Sequence, residues 1–248
     1  VKYQKDHIAS LWDKVSLNYD AHQYWSGLEN QANFEELLLH IGDPTGKRII
    51  EIGCGSGFTS LALAQQGARC ALLDLSTEAL KVAESAFLQA GLPPPELYNQ
   101  DALRNSVPSD SFDAVWNGGV IEHFFDEGKK LLIKEMLRMA KPGGKVIILV
   151  PNGACWQFQI IQAWLKLRKT WIYGYEDDMS PRRLRRMCQR LGISSYDTYA
   201  FNTVVGWRWI PKIGRHLTRK LGLETMKHHR RRSWMGFVTV LVIEKEGA

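Results

Sequence analysis

From residue 48 onward, short apolar runs alternate with stretches whose apolar positions recur every three or four residues, a rhythm that predicts strands and helices in turn. Residues 48–52 read as a strand that ends in glycines, and 59–66 as a helix stopped by Gly67. Residues 70–73 form the next apolar run, ending at Asp74. A second helix spans 77–90 and is closed by Gly91 and the prolines at 93–95. A third strand covers 112–116, a helix 129–139, and Lys141-Pro142-Gly143-Gly144 makes the turn into a strand at 145–150. Short apolar strands separated by helices imply parallel pairing with both sheet faces covered. Right-handed crossovers then bring the loops after the strands to one edge, where open α/β sheets bind ligands.

The flanks follow looser patterns. Residues 1–46 read as amphipathic helix carrying Tyr3, Trp12, Tyr19, Tyr24, Trp25 and Phe34. Past Pro151, residues 156–169 predict an aromatic helix, 181–191 a basic helix stopped by Gly192, and 194–201 and 237–244 strands. Residues 202–236 are long, basic and aromatic, and no internal repeat is present. The expected organisation is one domain over 1–248. It has a helical cap at 1–46, a ligand-binding core at 47–151 and substrate-side insertions at 152–180 and 202–236.

Composition changes this picture in two places. With 248 residues, 45% of them hydrophobic, the chain can bury a core without metals or disulfides. The net charge of +6 is uneven: residues 182–232 hold 14 Lys and Arg against Asp197 and Glu224 alone, leaving the remainder at −6. Such a stretch is either a solvated basic face or the contact for something anionic. Cys54, Cys70, Cys155 and Cys188 form no C-x-x-C pair, which fits a reducing, cytoplasmic compartment and argues against structural zinc. No apolar run approaches the ~18 residues of a membrane span, and no signal-peptide pattern opens the chain. A soluble protein is expected, with peripheral membrane contact left open.

The candidate chemistry begins at Glu51-Ile52-Gly53-Cys54-Gly55-Ser56-Gly57. Glycines allow φ > 0 and let a ligand lie against the backbone. Phe58 stands where a G-x-G-x-x-G fingerprint has its last glycine, and no Gly-Lys-Ser/Thr follows, so neither a dinucleotide fingerprint nor a P-loop is intact. Alone, the turn is compatible with no ligand at all. Asp74, ending the second strand, suits the two hydroxyls of a ribose. Asp101 suits either an adenine amine or a helix N-cap. Glu51, at a strand end, needs a cationic partner if it is buried.

These segments, with Phe112-Asp113-Ala114-Val115-Trp116-Asn117-Gly118-Gly119-Val120-Ile121-Glu122-His123-Phe124 and Lys141-Pro142-Gly143-Gly144, resemble the ordered motifs of the class I S-adenosylmethionine-dependent methyltransferases, in their small-molecule type 11-like branch. The resemblance implies an α/β, Rossmann-like, doubly wound seven-stranded sheet with its last strand antiparallel and a helical lid and insertions. It also implies S-adenosylmethionine over the turn at Gly53, Gly55 and Gly57. By the same carry-over, Glu51 and Gly53 approach the methionine part, Asp74 with Leu75 holds the ribose, Asp101 and Ala102 face the adenine, and Asn117 and Gly118 line the far side. Asn117 departs from the acid that many relatives keep there.

Methyl transfer to a hydroxyl or ammonium group needs a base. His123, beyond the strand end with an ordinary pKa of roughly 6.5, is the candidate. Glu122 beside it is expected to line the substrate pocket; the alternative is that Glu122 and His123 only cap or orient the following loop. Tyr19, Tyr24 and Trp25 either close the site or pack on the core. Trp156 and Tyr173, in the first insertion, either wall an acceptor pocket or pack in a lid of their own. Glu176-Asp177-Asp178 reads as a cap for the helix at Pro181 rather than a metal site, and no metal is expected. Three partners fit the basic insertion: a small phosphorylated or carboxylated molecule, an anionic membrane surface, and RNA, ranked last because no RNA-binding module is present. The expected function is methyl transfer to a small-molecule or lipid-like acceptor. The rivals are an RNA or protein methyltransferase, or a cofactor-binding or membrane-associated regulatory protein that has lost catalysis.

Overall fold

The computed structural model describes residues 10, 12–14, 16, 21–210 and 214–247. Residues 10, 12–14 and 16 are helical. Helices α1 (Ala21–Ser26) and α2 (Leu28–Ile41) then lead to strand β1 (Arg48–Ile52). The chain continues through α3 (Phe58–Gln65), β2 (Arg69–Asp74), α4 (Thr77–Gln89), β3 (Glu96–Asn99), β4 (Phe112–Gly118), α5 (Asp126–Met139) and β5 (Ala140–Pro151). Beyond these lie α6 (Trp156–Leu167), α7 (Pro181–Arg190), β6 (Tyr196–Phe201), α8 (Thr203–Arg208), α9 (Gly214–Lys220), α10 (Met226–His229) and β7 (Val238–Glu244).

The seven strands form one sheet in the order β3-β2-β1-β4-β5-β7-β6. Strands β1 to β5 pair in parallel, and β7 runs antiparallel to both β5 and β6. The expected Rossmann-like sheet with an antiparallel last strand is therefore present. Strand alternation explains its two cores. Ile50, Ile52, Val115 and Val146 face α5 and α7, while Ile49, Leu72, Trp116 and Ile147 face α2, α3 and α4. Burying a side chain of this size is worth about 1.5–3 kcal/mol. The strand order reverses between β1 and β4, which opens a crevice at their carboxyl ends.

Several elements depart from the pattern read along the chain. Strand β3 went unread because it is a four-residue edge strand behind three prolines. Lys141-Pro142-Gly143-Gly144 is not a turn before β5 but a bulge within it. Phe112 pairs with Ala140 and Ala114 with Lys145, so the extra residues loop out, with Gly143 at φ 74°. Residues 202–236 contain three short helices. Their arginines are largely used at home, because Arg208, Arg230 and Arg232 pair with Glu29, Glu35 and Glu36 of α2. The acids at 176–178 do not cap α7, whose N-cap is Ser180. Asp177 instead bonds to buried Lys129 at 2.5 Å and to Arg183.

Candidate active site

A cavity of about 450 Å³ opens at the carboxyl ends of β1, β2 and β4. Residues 53–56 form its floor, Asp74 and Leu75 one wall, and residues 118–120 with His123 and Phe124 the opposite wall. Asn30, Asn33, Phe34 and Leu37 of α2 close it from the N-terminal side, together with Trp12 and Tyr24.

The turn after β1 is built for close backbone approach. Gly53, Gly55 and Gly57 have φ of 65°, 51° and 64°, a region that favours glycine. A Cβ on Gly53 would lie 2.5 Å from Val120 Cγ2 across the crevice. The Gly57 backbone serves packing instead: a Cβ there would lie 2.8 Å from Ala83 Cβ of α4, and Gly57 is not part of the cavity wall.

Two carboxylates face this floor. Asp74 Oδ2 accepts from Gly55 N at 2.9 Å and Oδ1 from Ser76 N at 2.8 Å, and the Leu75 N–H also favours the carboxylate, so backbone N–H groups orient it at the cavity wall. Ser76 also caps α4 by accepting from Ala79 N at 3.0 Å, and its hydroxyl donates to Asp13 Oδ1 at 2.5 Å. Glu51 is buried on the α3 side of β1 and accepts from Ser60 Oγ at 2.5 Å. Burial, helped by the nearby Asp74 charge, pushes its pKa up to about 8, against the smaller lowering effect of Ser60. Burial likewise raises the Asp74 pKa and lifts that of the Cys54 thiol. No Lys or Arg lines this cavity among the described residues. A buried acidic pocket without an internal cation is complementary to a ligand carrying ammonium or sulfonium charge.

Opposite lies His123. Its Nδ1 sits 2.9 Å from the Tyr175 carbonyl, which only accepts, so the ring proton is on Nδ1 and Nε2 is the basic nitrogen. Burial lowers the pKa, and the carbonyls of Tyr175 and Gly119 offset this only partly. The ring is therefore neutral near pH 7. Trp12 meets it edge-on with ring centroids 5.3 Å apart. Tyr24 is held by Thr59 Oγ1 at 2.8 Å and packs edge-on against Phe58, and burial pushes its hydroxyl up to about 12. Phe58 thus fills with an aromatic wall the place that a third glycine would have left open.

The structure gathers Glu51, Gly53, Gly55, Asp74, Leu75, Ala102, Gly118, His123 and Tyr24 around one cavity. It does not bring the other expected residues there. Asp101 turns its carboxylate to Leu103 N at 2.9 Å, and Gln100 takes the wall position beside Ala102. Asn117 is fully buried on the other face of β4, donating to Met136 Sδ at 3.2 Å. Trp25 packs between Tyr24 and Phe34 behind the wall. Glu122 is buried away from the cavity, near Glu176, Asp178 and Lys129, with Oε2 unpartnered. Trp156 is exposed and meets Trp207, while Tyr173 packs on Trp171. Tyr19 lies outside the described residues. Reading the residues one at a time missed Trp12, Thr59, Gln100, Trp116, Phe237 and the α2 face. For Trp116 a signal existed, since strand alternation puts it on the same side as Gly118. No group of three or more His, Cys, Asp or Glu among the described residues is arranged to hold a metal ion.

Known proteins share both the sequence and the architecture. The family described as "Methyltransferase domain" matches residues 50–148. The ubiquinone biosynthesis O-methyltransferase of Azoarcus sp. (strain BH72) is 31% identical over 187 residues, covering 73% of this chain and 76% of that protein. That of Pasteurella multocida (strain Pm70) is 28% identical over 218 residues, covering 82% and 87%. Among solved structures, geranyl diphosphate C-methyltransferase from Streptomyces coelicolor, in complex with S-adenosyl-L-homocysteine, superposes with a TM-score of 0.61 at 14% identity. The match covers 87% of this chain and 79% of that one and establishes the fold.

Proposed function

This chain belongs to the class I S-adenosylmethionine-dependent methyltransferases, and we propose that it methylates a hydroxyl of a small, lipid-like acceptor with His123 as the base. The observation that carries the reading is the state of His123: neutral, with its proton committed to the Tyr175 carbonyl, in the same cavity wall that faces the glycine turn. A nitrogen nucleophile that is already unprotonated needs no such group, whereas a hydroxyl must lose its proton as it attacks.

The residues present fit S-adenosylmethionine. Glu51 and Asp74 are buried acids in want of a cation, and Gly53 leaves no room for a side chain. Glu51 and Gly53 would hold the methionine part, Asp74 and Leu75 the ribose, and Gln100 and Ala102 the adenine. When bound, the cofactor supplies a methyl group activated by a positively charged sulfur. The chain's own contribution is to align the acceptor, exclude water and receive the hydroxyl proton on His123 Nε2. Trp12, Tyr24 and Phe34 close the site from the N-terminal side, in keeping with residues 1–46 as a cap over the 47–151 core. The insertions at 152–180 and 202–236 frame the acceptor, the first through the Tyr175 carbonyl and the second through Phe237 just beyond its end.

The lipid-like acceptor rests on two supports. The relatives above are named for O-methylation in the biosynthesis of ubiquinone, itself a lipid. The cavity wall adds Leu37, Trp116, Phe124 and Phe237, all apolar. Among the described residues no helix is long and apolar enough to cross a membrane, so a lipid-dissolved acceptor would be met from the surface. The test is methyl transfer from labelled cofactor to a prenylated phenol. His123→Ala should lose roughly 10²–10⁴-fold in kcat while binding S-adenosylhomocysteine as tightly as the wild type. A variant that keeps full turnover removes the base, and turnover only with amines removes the hydroxyl.

A further inference from the structure

Helix α6 buries two glutamines beside Phe158 and leaves four large apolar side chains exposed. Gln157 and Gln162 are buried, whereas Trp156, Ile160, Trp164 and Leu167 are 45%, 59%, 47% and 82% exposed. At about 100° per residue, these four and Ala163 fall within one arc of about 100°, with no polar residue among them. The inward polar positions are held in place: Gln162 donates to Glu176 at 3.0 Å and to Asp178 at 3.3 Å, and Gln159, on the flank, donates to Asp178 at 2.6 Å. Hydrogen bonds to the acid triplet thus fix the helix with its apolar stripe toward solvent.

The stripe continues and has a charged rim. Ile172 is 61% exposed, and the exposed ring of Tyr175 packs on exposed Phe125 with centroids 4.5 Å apart. Lys166 and Arg168 lie over the rings of Trp171 and Trp164, at 5.7 and 5.1 Å, and Lys169 follows, exposed. Lys166 also donates to the Glu176 carbonyl at 3.3 Å and faces the Glu176 and Asp178 carboxylates, whereas Arg168 and Lys169 form no ion pair among the described residues.

We propose that the outward face of α6, with Ile172 and Tyr175, docks on the surface of an anionic lipid bilayer. Charge complementarity selects this occupant. An unbroken apolar arc holding two tryptophans suits the boundary between headgroups and acyl chains, and the cations at its end suit lipid phosphates. The basic run at 230–232 is a poorer candidate, because Arg230 and Arg232 are engaged with α2. Tyr175 links the surface to the site, since its ring belongs to the patch and its carbonyl holds His123. Delivery of a lipid-dissolved acceptor past this residue rests on the methyl-transfer reading; docking does not.

The test is co-sedimentation of the full chain with phosphatidylcholine vesicles, with and without phosphatidylglycerol, following tryptophan emission. Wild type should bind the anionic vesicles with a blue shift, and bind the neutral ones weakly. Ile160→Glu/Trp164→Glu should weaken binding by about tenfold or more, and Arg168→Glu/Lys169→Glu should remove the preference for anionic lipid. Both positions of the first variant are exposed, so its melting temperature and its shift with S-adenosylhomocysteine should match wild type. Absence of wild-type binding overturns the proposal, as does a variant that binds equally well. A dimer in solution that Ile160→Glu/Trp164→Glu dissolves, without vesicle binding, assigns the face to a second copy instead. Vesicle binding without any ligand-induced shift would leave the docking surface standing and remove the cofactor site.

Discussion

Replacing Glu51 with Gln isolates the electrostatic design of the cofactor cavity. In the ligand-free protein, burial holds the Glu51 pKa at about 8, so the group is protonated through most of the physiological range. A ligand that places an ammonium group beside it favours the carboxylate, and binding then expels a proton. With a pKa of about 8, roughly 1% of the free protein is ionised at pH 6 and half at pH 8. Affinity for S-adenosylhomocysteine should therefore rise about 50-fold over that interval, or about 2.3 kcal/mol. The other titrating neighbours leave this window clear or remain as controls. Burial raises Tyr24 to about 12 and Cys54 well above 9.0, outside the window, while His123 and Asp74 are present in both proteins and cancel in the comparison with Glu51→Gln. Titration calorimetry at pH 6, 7 and 8, in buffers of different ionisation enthalpy, measures both affinity and proton release. Wild type should release close to one proton per ligand at pH 6–7, and Glu51→Gln should release fewer and show a flat profile. A pH-independent wild-type affinity would refute the reasoning, as would a Gln variant with the same slope as wild type.

The same substitution has an opposite expected signature in stability. Glu51 is protonated in folded and unfolded chains below about pH 4.5, whereas between 4.5 and 8 only the unfolded chain ionises, so stability falls across that window. Glu51→Gln should gain in melting temperature over wild type as pH rises through the window and lose that gain at its acid end. Gly53→Ala places a Cβ at positive φ and against Val120, and should cost about 2–3 kcal/mol in urea unfolding; adding Val120→Ala should recover only the steric share. Lys129→Met leaves Asp177 with Arg183 alone, so about 1.5–3 kcal/mol of stability, the worth of a hydrogen bond to a charged group, should be lost. Because Asp177 N also donates to the Glu122 carbonyl at 2.9 Å, the loop carrying the Tyr175 carbonyl should loosen. The acid limb of the pH–kcat profile, set by His123, should then move.

The part of the site legible in the sequence was the part governed by backbone rules. Positive φ demands glycine after β1, a strand must end where Asp74 stands, and parallel strands gather their ends at one edge, so Gly53, Asp74 and His123 were readable together. What escaped depends on facing rather than spacing. Asn117 was assigned to the cavity by its place in a motif, yet alternation along β4 puts its neighbours Trp116 and Gly118 there and sends Asn117 toward Met136. Trp156 and Tyr173 fit either a pocket wall or a lid packed on itself, and they meet Trp207 and Trp171. For Trp156 the orientation is decided by the hydrogen bonds from Gln159 and Gln162 to the acids, partners up to 19 residues away in the chain. Asp101 and Gln100 are adjacent, and only the local turn, closed by Leu103 N, decides which of them meets the cavity.

The contact between Gly57 and Ala83 sets a tolerance as well as a packing distance. With no side-chain atom to trim on one helix and a single methyl on the other, α3 and α4 abut with nothing compressible between them. Both helices start at cofactor-facing groups: α3 follows the glycine turn, and α4 follows Ser76, whose N–H holds Asp74. The spacing between the turn and the acid is thus gauged in the dry layer behind the cavity, by a contact in which no ligand takes part. Polar residues at the mouth can vary with the acceptor, while the fit to the invariant part of the reaction is machined into two small residues that never touch it.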